Sequence, residues 1–201
     1  MPKVTDAHRQ ARRQQILRAA FACFGHEGFH ATTVQDICDE ADLSPGAVYN
    51  YFDGKADIIR AIAAESRDSL DALFDSIDTE QPAPRVLADL VARLGEFAEQ
   101  PDDAAEGGHR VRVRLWGEAL SADEVHELLQ ENQADFIERI TELIRSGLAK
   151  GEFDEAAEPE ALARALLAFH QGMVLQKAVS PDTSVKPVFE AVRGLLGGAS
   201  S

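Results

Sequence analysis

Thr33-Val34-Gln35-Asp36-Ile37-Cys38-Asp39-Glu40-Ala41-Asp42-Leu43-Ser44-Pro45-Gly46-Ala47-Val48-Tyr49-Asn50-Tyr51-Phe52-Asp53-Gly54-Lys55 is the run that decides how this chain folds. Thr33 is a strong helix N-cap, and Asp36, three residues on, completes a capping box with Asp in the usual place of Glu. Val34, Ile37, Cys38 and Ala41 then share one apolar face for about two turns. After Asp42-Leu43, Ser44 caps a second short helix. Pro45 takes its first position, where the missing N–H costs nothing. That helix is expected over about 44–51, with Val48 and Phe52 turned inward. Asp53-Gly54 then breaks the chain before a long helix.

Working outward, the pattern stays helical. Upstream, Ile16, Leu17, Ala20, Phe21 and Phe24 make one stripe on a helix over about 6–25, ended by Gly25 and Gly28. Downstream, helices are expected over about 55–79, 84–99, 109–120, 122–149, 159–179 and 185–196, punctuated by Pro82, Pro84, Gly151, Pro159, Pro181 and Pro187. A polar loop is expected at 101–108 and a frayed tail at 197–201. No stretch alternates with the period of a strand. The expectation is an all-α fold of about nine helices. Two short helices across a tight turn, packed by a preceding helix, follow the helix-turn-helix plan. We therefore place an N-terminal three-helix domain at 1–54 and a helical body at 55–201.

With 201 residues, 45% apolar and 27% charged, the chain has the makeup of an ordinary globular protein. No apolar run approaches the roughly 20 residues that span a bilayer, and no apolar stretch follows the basic N-terminus. Two cysteines, Cys23 and Cys38, make no disulfide framework. A soluble cytoplasmic protein is expected. The net charge of −15 argues against nucleic acid only until its distribution is read. Residues 1–20 carry five basic side chains (Lys3, Arg9, Arg12, Arg13, Arg18) against Asp6, and residues 1–60 net −1, so residues 61–201 hold −14. A basic edge on an acidic body leaves one end suited to phosphate.

The second short helix has the surface for that role. Ser44, Pro45, Gly46 and Ala47 are small enough to let backbone approach a groove wall. Tyr49 and Tyr51 can donate O–H bonds to phosphate without a charge to desolvate. Lys55 and Thr33, at helix starts, would add to exposed backbone N–H groups as anion sites. Gln35 and Asn50 are amides of the kind that pair bidentately with adenine.

The run Gly28-Phe29-His30-Ala31-Thr32-Thr33-Val34-Gln35-Asp36-Ile37-Cys38, continued by Ala41 to Lys55, closely resembles the DNA-binding domain of the tetracycline-repressor (TetR) family over about residues 10–60. The resemblance implies an all-α homodimer, with three N-terminal helices on a palindromic DNA operator. It implies a C-terminal body that binds a small-molecule effector, and a dimer bundle built from the last two long helices. It implies repression until the effector releases the protein. Carried over by position, Thr33, Tyr49, Tyr51 and Lys55 fall where phosphates are touched. Gln35, Pro45, Gly46 and Asn50 fall near bases or sugar. The family often has Ala where Cys38 stands, Gly where Asp42 stands and Pro-Ser where Asp53-Gly54 stands. Asp42 and Asp53 put negative charge beside DNA, so weaker or more salt-sensitive binding is expected. Leu115-Trp116-Gly117-Glu118-Ala119-Leu120, Gly151-Glu152-Phe153 and Ala168 to Gln176 are similar to a subgroup with multidrug or metabolite inducers.

For the effector, Phe74, Phe97, Trp116, Phe136, Phe169, His170 and Met173 are the candidate apolar lining. An acidic, aromatic body suits an apolar or cationic effector. For the dimer, Leu167, Gln171, Val174, Leu175, Ala178, Val188, Phe189, Val192 and Leu196 give the last two helices more apolar surface than one core needs. Effector would favour a state whose paired recognition helices miss successive major grooves, about 34–36 Å apart, with the long helix at 55–79 as the lever. Two alternatives remain open: a thiol-redox regulator using Cys23 and Cys38, and a helical interaction protein with weak DNA binding. No nucleophile elbow, phosphate loop or dinucleotide fingerprint is present, so no enzyme and no cofactor are expected. Cys23, His26 and His30 form a loose set from which no metal site is expected.

Overall fold

In a computed structural model, residues 6–100, 108–154 and 158–197 are described. Lys3 of the basic edge, most of the expected loop at 101–108 and most of the tail lie outside them. Among the described residues there are nine helices and no strand: α1 (Asp6–Glu27), α2 (Val34–Glu40), α3 (Pro45–Tyr49), α4 (Lys55–Asp75), α5 (Ala83–Ala98), α6 (His109–Glu118), α7 (Asp123–Ala149), α8 (Pro159–Val179) and α9 (Lys186–Gly197). The order and type of every element follow the sequence pattern. Among the described residues no helix is long and apolar enough to cross a membrane.

Two boundaries differ for identifiable reasons. α4 stops at Asp75, short of 79, because Ser76 turns its hydroxyl onto the Leu73 carbonyl (2.7 Å) and Asp78 accepts from the Glu80 N–H (3.0 Å). Such short polar side chains compete with the helix for its backbone groups. Gly25 does not end α1 but lies buried inside it, and Gly28, at φ +84°, is the left-handed stop.

The chain divides into two compact units, Met1–Glu65 with Asp102–Leu129, and Ser66–Pro101 with Gln130–Ser201. The first part of α4, all of α6 and the start of α7, which lie in the expected helical body at 55–201, group with α1–α3 in the first of these units. The core of this first unit joins Ile16, Leu17 and Phe24 of α1 to Ile37 and Cys38 of α2, Val48 of α3, Phe52, and Ile58 of α4. Each such aliphatic or aromatic side chain contributes roughly 1.5–3 kcal/mol by leaving water. In the second unit, Val86, Leu87, Leu90, Val91 and Leu94 of α5 pack with Phe136, Ile140 and Ile144 of α7, Met173 of α8 and Phe189 of α9. There Glu99, at the end of α5, takes the backbone N–H groups of Val185 and Lys186, the Ser184 hydroxyl and the Lys177 ammonium. A carboxylate so placed caps the N-terminus of α9. Burial alone would raise the Glu99 pKa, but these four donors outweigh it and hold it below the usual value.

Candidate nucleic-acid interface and effector site

The turn between α2 and α3 is a Schellman motif. Leu43 N–H donates to the Cys38 carbonyl (2.9 Å) and Asp42 N–H to that of Asp39 (3.2 Å), with Asp42 left-handed at φ +51°. Glycine takes this conformation without strain, and Asp is among the few other residues that tolerate it. The geometry thus accounts for the departure at Asp42. Gln15 of α1 donates to the Ala41 carbonyl at 2.6 Å and is itself held by Arg12 at 2.9 Å. This pins α1 to the end of α2.

The capping box at Thr33 forms as its spacing predicts: Thr33 Oγ1 accepts from Asp36 N–H (3.2 Å), and the Asp36 carboxylate accepts from Thr33 N–H (2.7 Å). The Thr33 N–H foremost, and after it the Thr33 hydroxyl, donate to the Asp36 carboxylate and lower its pKa. The Thr33 hydroxyl proton also points at Asp36 (2.7 Å), so a phosphate at this site must compete with a carboxylate. Ser44 caps α3 by accepting from Ala47 N–H at 3.3 Å. Thr33, Gln35, Ser44, Pro45, Gly46, Tyr49 and Asn50 are exposed on this unit, Tyr49 by 55%. The space where a Gly46 side chain would stand is open. Ala47 and Tyr51 are half-buried, Tyr51 against the core. Gln35 shares its amide with Asp39 at 2.7 Å.

Lys55 is where geometry departs most from expectation. Its ammonium donates to the carbonyls of Phe29 (2.6 Å) and Thr32 (3.0 Å) and stands 4.3 Å from the centre of the Phe29 ring. The α1–α2 loop receives its charge. Sequence reasoning also missed Glu118, which accepts from Phe29 N–H (3.0 Å), and Arg114, which donates to the Gly25 carbonyl at the end of α1 (2.8 Å). No local signal marks them, since the partners lie 89 residues apart.

The effector candidates divide. Trp116 belongs to the first unit, whereas Phe74, Phe97, Phe136, Phe169, His170 and Met173 belong to the second. There Phe74 meets Phe136 edge-on (centroids 6.4 Å apart), Phe97 lies against His170 (6.2 Å) and Phe169 against Phe189 (5.0 Å). Arg139, between Asp71 and Asp135, covers the Phe74 ring at 5.3 Å. Thr141 is buried at 5% exposure, and its hydroxyl has no partner among the described residues.

The expected dimer face needs correcting. Val174, Ala178 and Phe189 are buried within the second unit, and a Cβ on Gly95 would stand 2.8 Å from Phe189. Leu167, Gln171, Val192 and Leu196 are half-buried. Leu175 and Val188 are exposed, as are Leu162, Val179 and Leu195 and the alanines Ala161, Ala165, Ala168 and Ala191. Periodicity marks these helices as apolar but does not tell which side meets the chain's own core.

The two cysteines are buried. Burial first, then the carboxylates of Glu40, Asp36 and Glu27, push the Cys23 thiol up to about 11. Burial and Asp39 raise that of Cys38. Neither is poised as a thiolate. Cys23 is buried while His26 and His30 are exposed, so the loose metal set is split between two environments.

Two family models match in order along the chain: bacterial regulatory proteins of the tetR family over residues 16–62, and the BetI-type transcriptional repressor C-terminal domain over residues 101–193. An uncharacterized HTH-type transcriptional regulator of Bacillus subtilis, YfiR, is 29% identical over 86% of this chain and 83% of its own. The structure of Salmonella enterica GusR superposes with a TM-score of 0.73 at 27% identity, covering 98% of both chains. That of a SmeT–triclosan complex superposes with a TM-score of 0.71 at 25% identity, over 92% of this chain and 91% of the other. With its helix-turn-helix at the matched N-terminal segment and the body matched behind it, the chain belongs to the TetR family of ligand-responsive, DNA-binding transcriptional regulators.

Proposed function

We propose that the chain works as a homodimer on a palindromic operator in the cytoplasm. On this reading it presents α3 to the major groove and leaves DNA when a small apolar or cationic effector enters the second unit. Tyr49, exposed at the end of α3, and Tyr51 donate to phosphates. Gly46 and Pro45 allow close approach, and Gln35 and Asn50 read base edges. Thr33 contributes through the N-terminus of α2 once its hydroxyl turns from Asp36.

The observation that carries the dimer is the set of exposed apolar side chains on α8 and α9. Leu162, Leu175, Val179, Val188 and Leu195 are each at least 40% exposed, on helices otherwise packed in a core. Exposed alanines on the same helices, Ala161, Ala165, Ala168 and Ala191, would let two copies approach closely. The effector reading rests on the ring pairs around Phe136 and Phe97, with Thr141 as the polar handle. SmeT, which resembles this chain, was solved with triclosan, a precedent that favours an apolar aromatic ligand here. The two states would differ in the separation of the paired recognition helices, and effector shifts the population toward the one that misfits DNA.

Light scattering after size exclusion tests the assembly. Wild type is expected at twice the chain mass, and Leu175→Glu/Leu195→Glu at the monomer mass with DNA binding lost. A wild-type monomer that binds DNA as tightly as ever would remove the dimer reading.

A further inference from the structure

Phe29 joins the left-handed stop of α1 to the approach of α2, four residues before the cap at Thr33. Both sides of its backbone are held. Its N–H donates to Glu118 Oε1 of α6 at 3.0 Å, and its carbonyl accepts from Lys55 Nζ of α4 at 2.6 Å. Its buried ring packs edge-on to Phe24 (5.6 Å) and lies against the same ammonium. The grip of α6 extends further. Val111, Arg114 and Glu118 stand at i, i+3 and i+7, on one face. Val111 fills the space over Gly25, Arg114 caps the last carbonyls of α1, and Glu118 lies 3.0 Å from where a Gly28 side chain would begin. Charge-assisted bonds of this kind are the stronger ones in a protein. A phosphate seeking Lys55 would have to draw it away from two carbonyls and a ring.

We propose that Glu118 and Lys55 are positioning residues for DNA binding: clamping the Phe29 peptide from opposite sides, they hold α2, and with it α3, in the orientation that meets DNA. Lys55 acts in this way and not by neutralising a phosphate. The proposal rests on α2–α3 being the DNA-reading pair.

The test uses the full-length protein and a duplex that the wild type has selected from a random-sequence pool, with affinity measured by fluorescence anisotropy across a salt series. Glu118→Ala is expected to weaken binding about tenfold, as the competent orientation loses population, with an unchanged salt slope. Glu118→Gln, whose amide oxygen still accepts from Phe29, should recover to within about twofold. The sign is decisive, because deleting a carboxylate by its field alone would tighten binding to DNA. Lys55→Met is expected to weaken binding with the slope retained, whereas a phosphate contact would remove about 0.9 from the slope per subunit. Amide exchange at Phe29 and through α2 should quicken in Glu118→Ala. Equal or tighter binding by Glu118→Ala, a slope loss of that size in Lys55→Met, or unchanged exchange at Phe29 would each overturn the proposal. The α2–α3 reading fails separately, if Tyr49→Ala with Asn50→Ala leaves affinity intact.

Discussion

Gly25→Ala tests the joint between α1 and α6 at its tightest point. A Cβ built on Gly25 would lie 2.3 Å from Val111 Cγ1, 2.9 Å from its Cβ and 3.0 Å from its Cγ2. At the first distance something must move, and Val111 is a short branched side chain with little room to rotate. Overpacking of this kind costs about 1–3 kcal/mol. Alanine recovers roughly 1 kcal/mol of helix propensity over glycine. The net expected loss is therefore up to about 2 kcal/mol, a fall of up to roughly 8 °C in the melting point for a chain of this size. Val111→Ala removes both γ-methyls and should relieve most of the clash. The double variant is then expected to be at least 1 kcal/mol more stable than the two single losses added together, well outside ordinary additivity of about 0.5 kcal/mol. Trp116 is the chain's one tryptophan and stands on α6 in the same unit, so its fluorescence in a urea titration reports this unit directly. A Gly25→Ala protein more stable than wild type, as an exposed helical glycine would give, would refute the packing argument. So would strictly additive losses.

At Asp42 the left-handed backbone ranks the substitutions: Asn is expected within a few tenths of a kcal/mol of Asp, and Ala about 1 kcal/mol less stable, by urea midpoint. Asp42→Asn should also tighten binding in a DNA titration, since it removes a carboxylate from the turn between α2 and α3. Glu99→Gln is expected to destabilise by about 1 kcal/mol at neutral pH, as loss of a helix cap does. Because the Glu99 pKa is lowered in the folded state, its contribution is present above the unfolded value of 4.5 and fades as pH falls through the folded one. Wild type and variant should thus draw together in stability as pH falls below 4.5, and a gap that does not narrow with falling pH would contradict the cap. Cys23 and Cys38 should resist iodoacetamide in the native protein at pH 7.5, and peroxide should leave DNA affinity unchanged, both checked by mass and anisotropy.

The helix starts were legible because their causes are local. Thr33 with Asp36, and Ser44 with Pro45, satisfy their own orphan N–H groups within four residues, so spacing alone locates them. The inward residues of α1–α3 were legible because a partner on one side only produces a stripe. α8 has no such asymmetry. It is apolar on the side of Val174 and Ala178 and on the side bearing Leu175, so these two, like Phe189 on α9, were expected in the dimer face although the chain buries them itself. Gly25 was misread for a related reason, since a glycine that admits a neighbour and a glycine that ends a helix look alike until the neighbour is known. Lys55 was read from its position at a helix start. Its real partners are the carbonyls of Phe29 and Thr32, and nothing near it in sequence announces them.

Those unannounced contacts matter more here than in most helical proteins. α3 has 5 residues and α2 has 7, far below the roughly 12–15 at which an isolated helix becomes even marginal in water. Neither carries a lysine or arginine, so the pair brings no cationic side chain of its own to the phosphates. What remains is shape: two tyrosines, two amides and an open surface at Gly46, useful only at one orientation. On the reading proposed above, that orientation is set by groups outside the DNA-facing surface. Val48 and Ile37 anchor the pair from beneath, the Schellman turn at Asp42 fixes their angle, and Gln15 holds the end of α2 at Ala41. Glu118 and Lys55 hold the approach to its start at Phe29. A recognition element with this little charge must draw its affinity from how rigidly it is held. Substitutions at Gln15 or Glu118 are therefore expected to weaken DNA binding about as much as the loss of Tyr49 from the face itself.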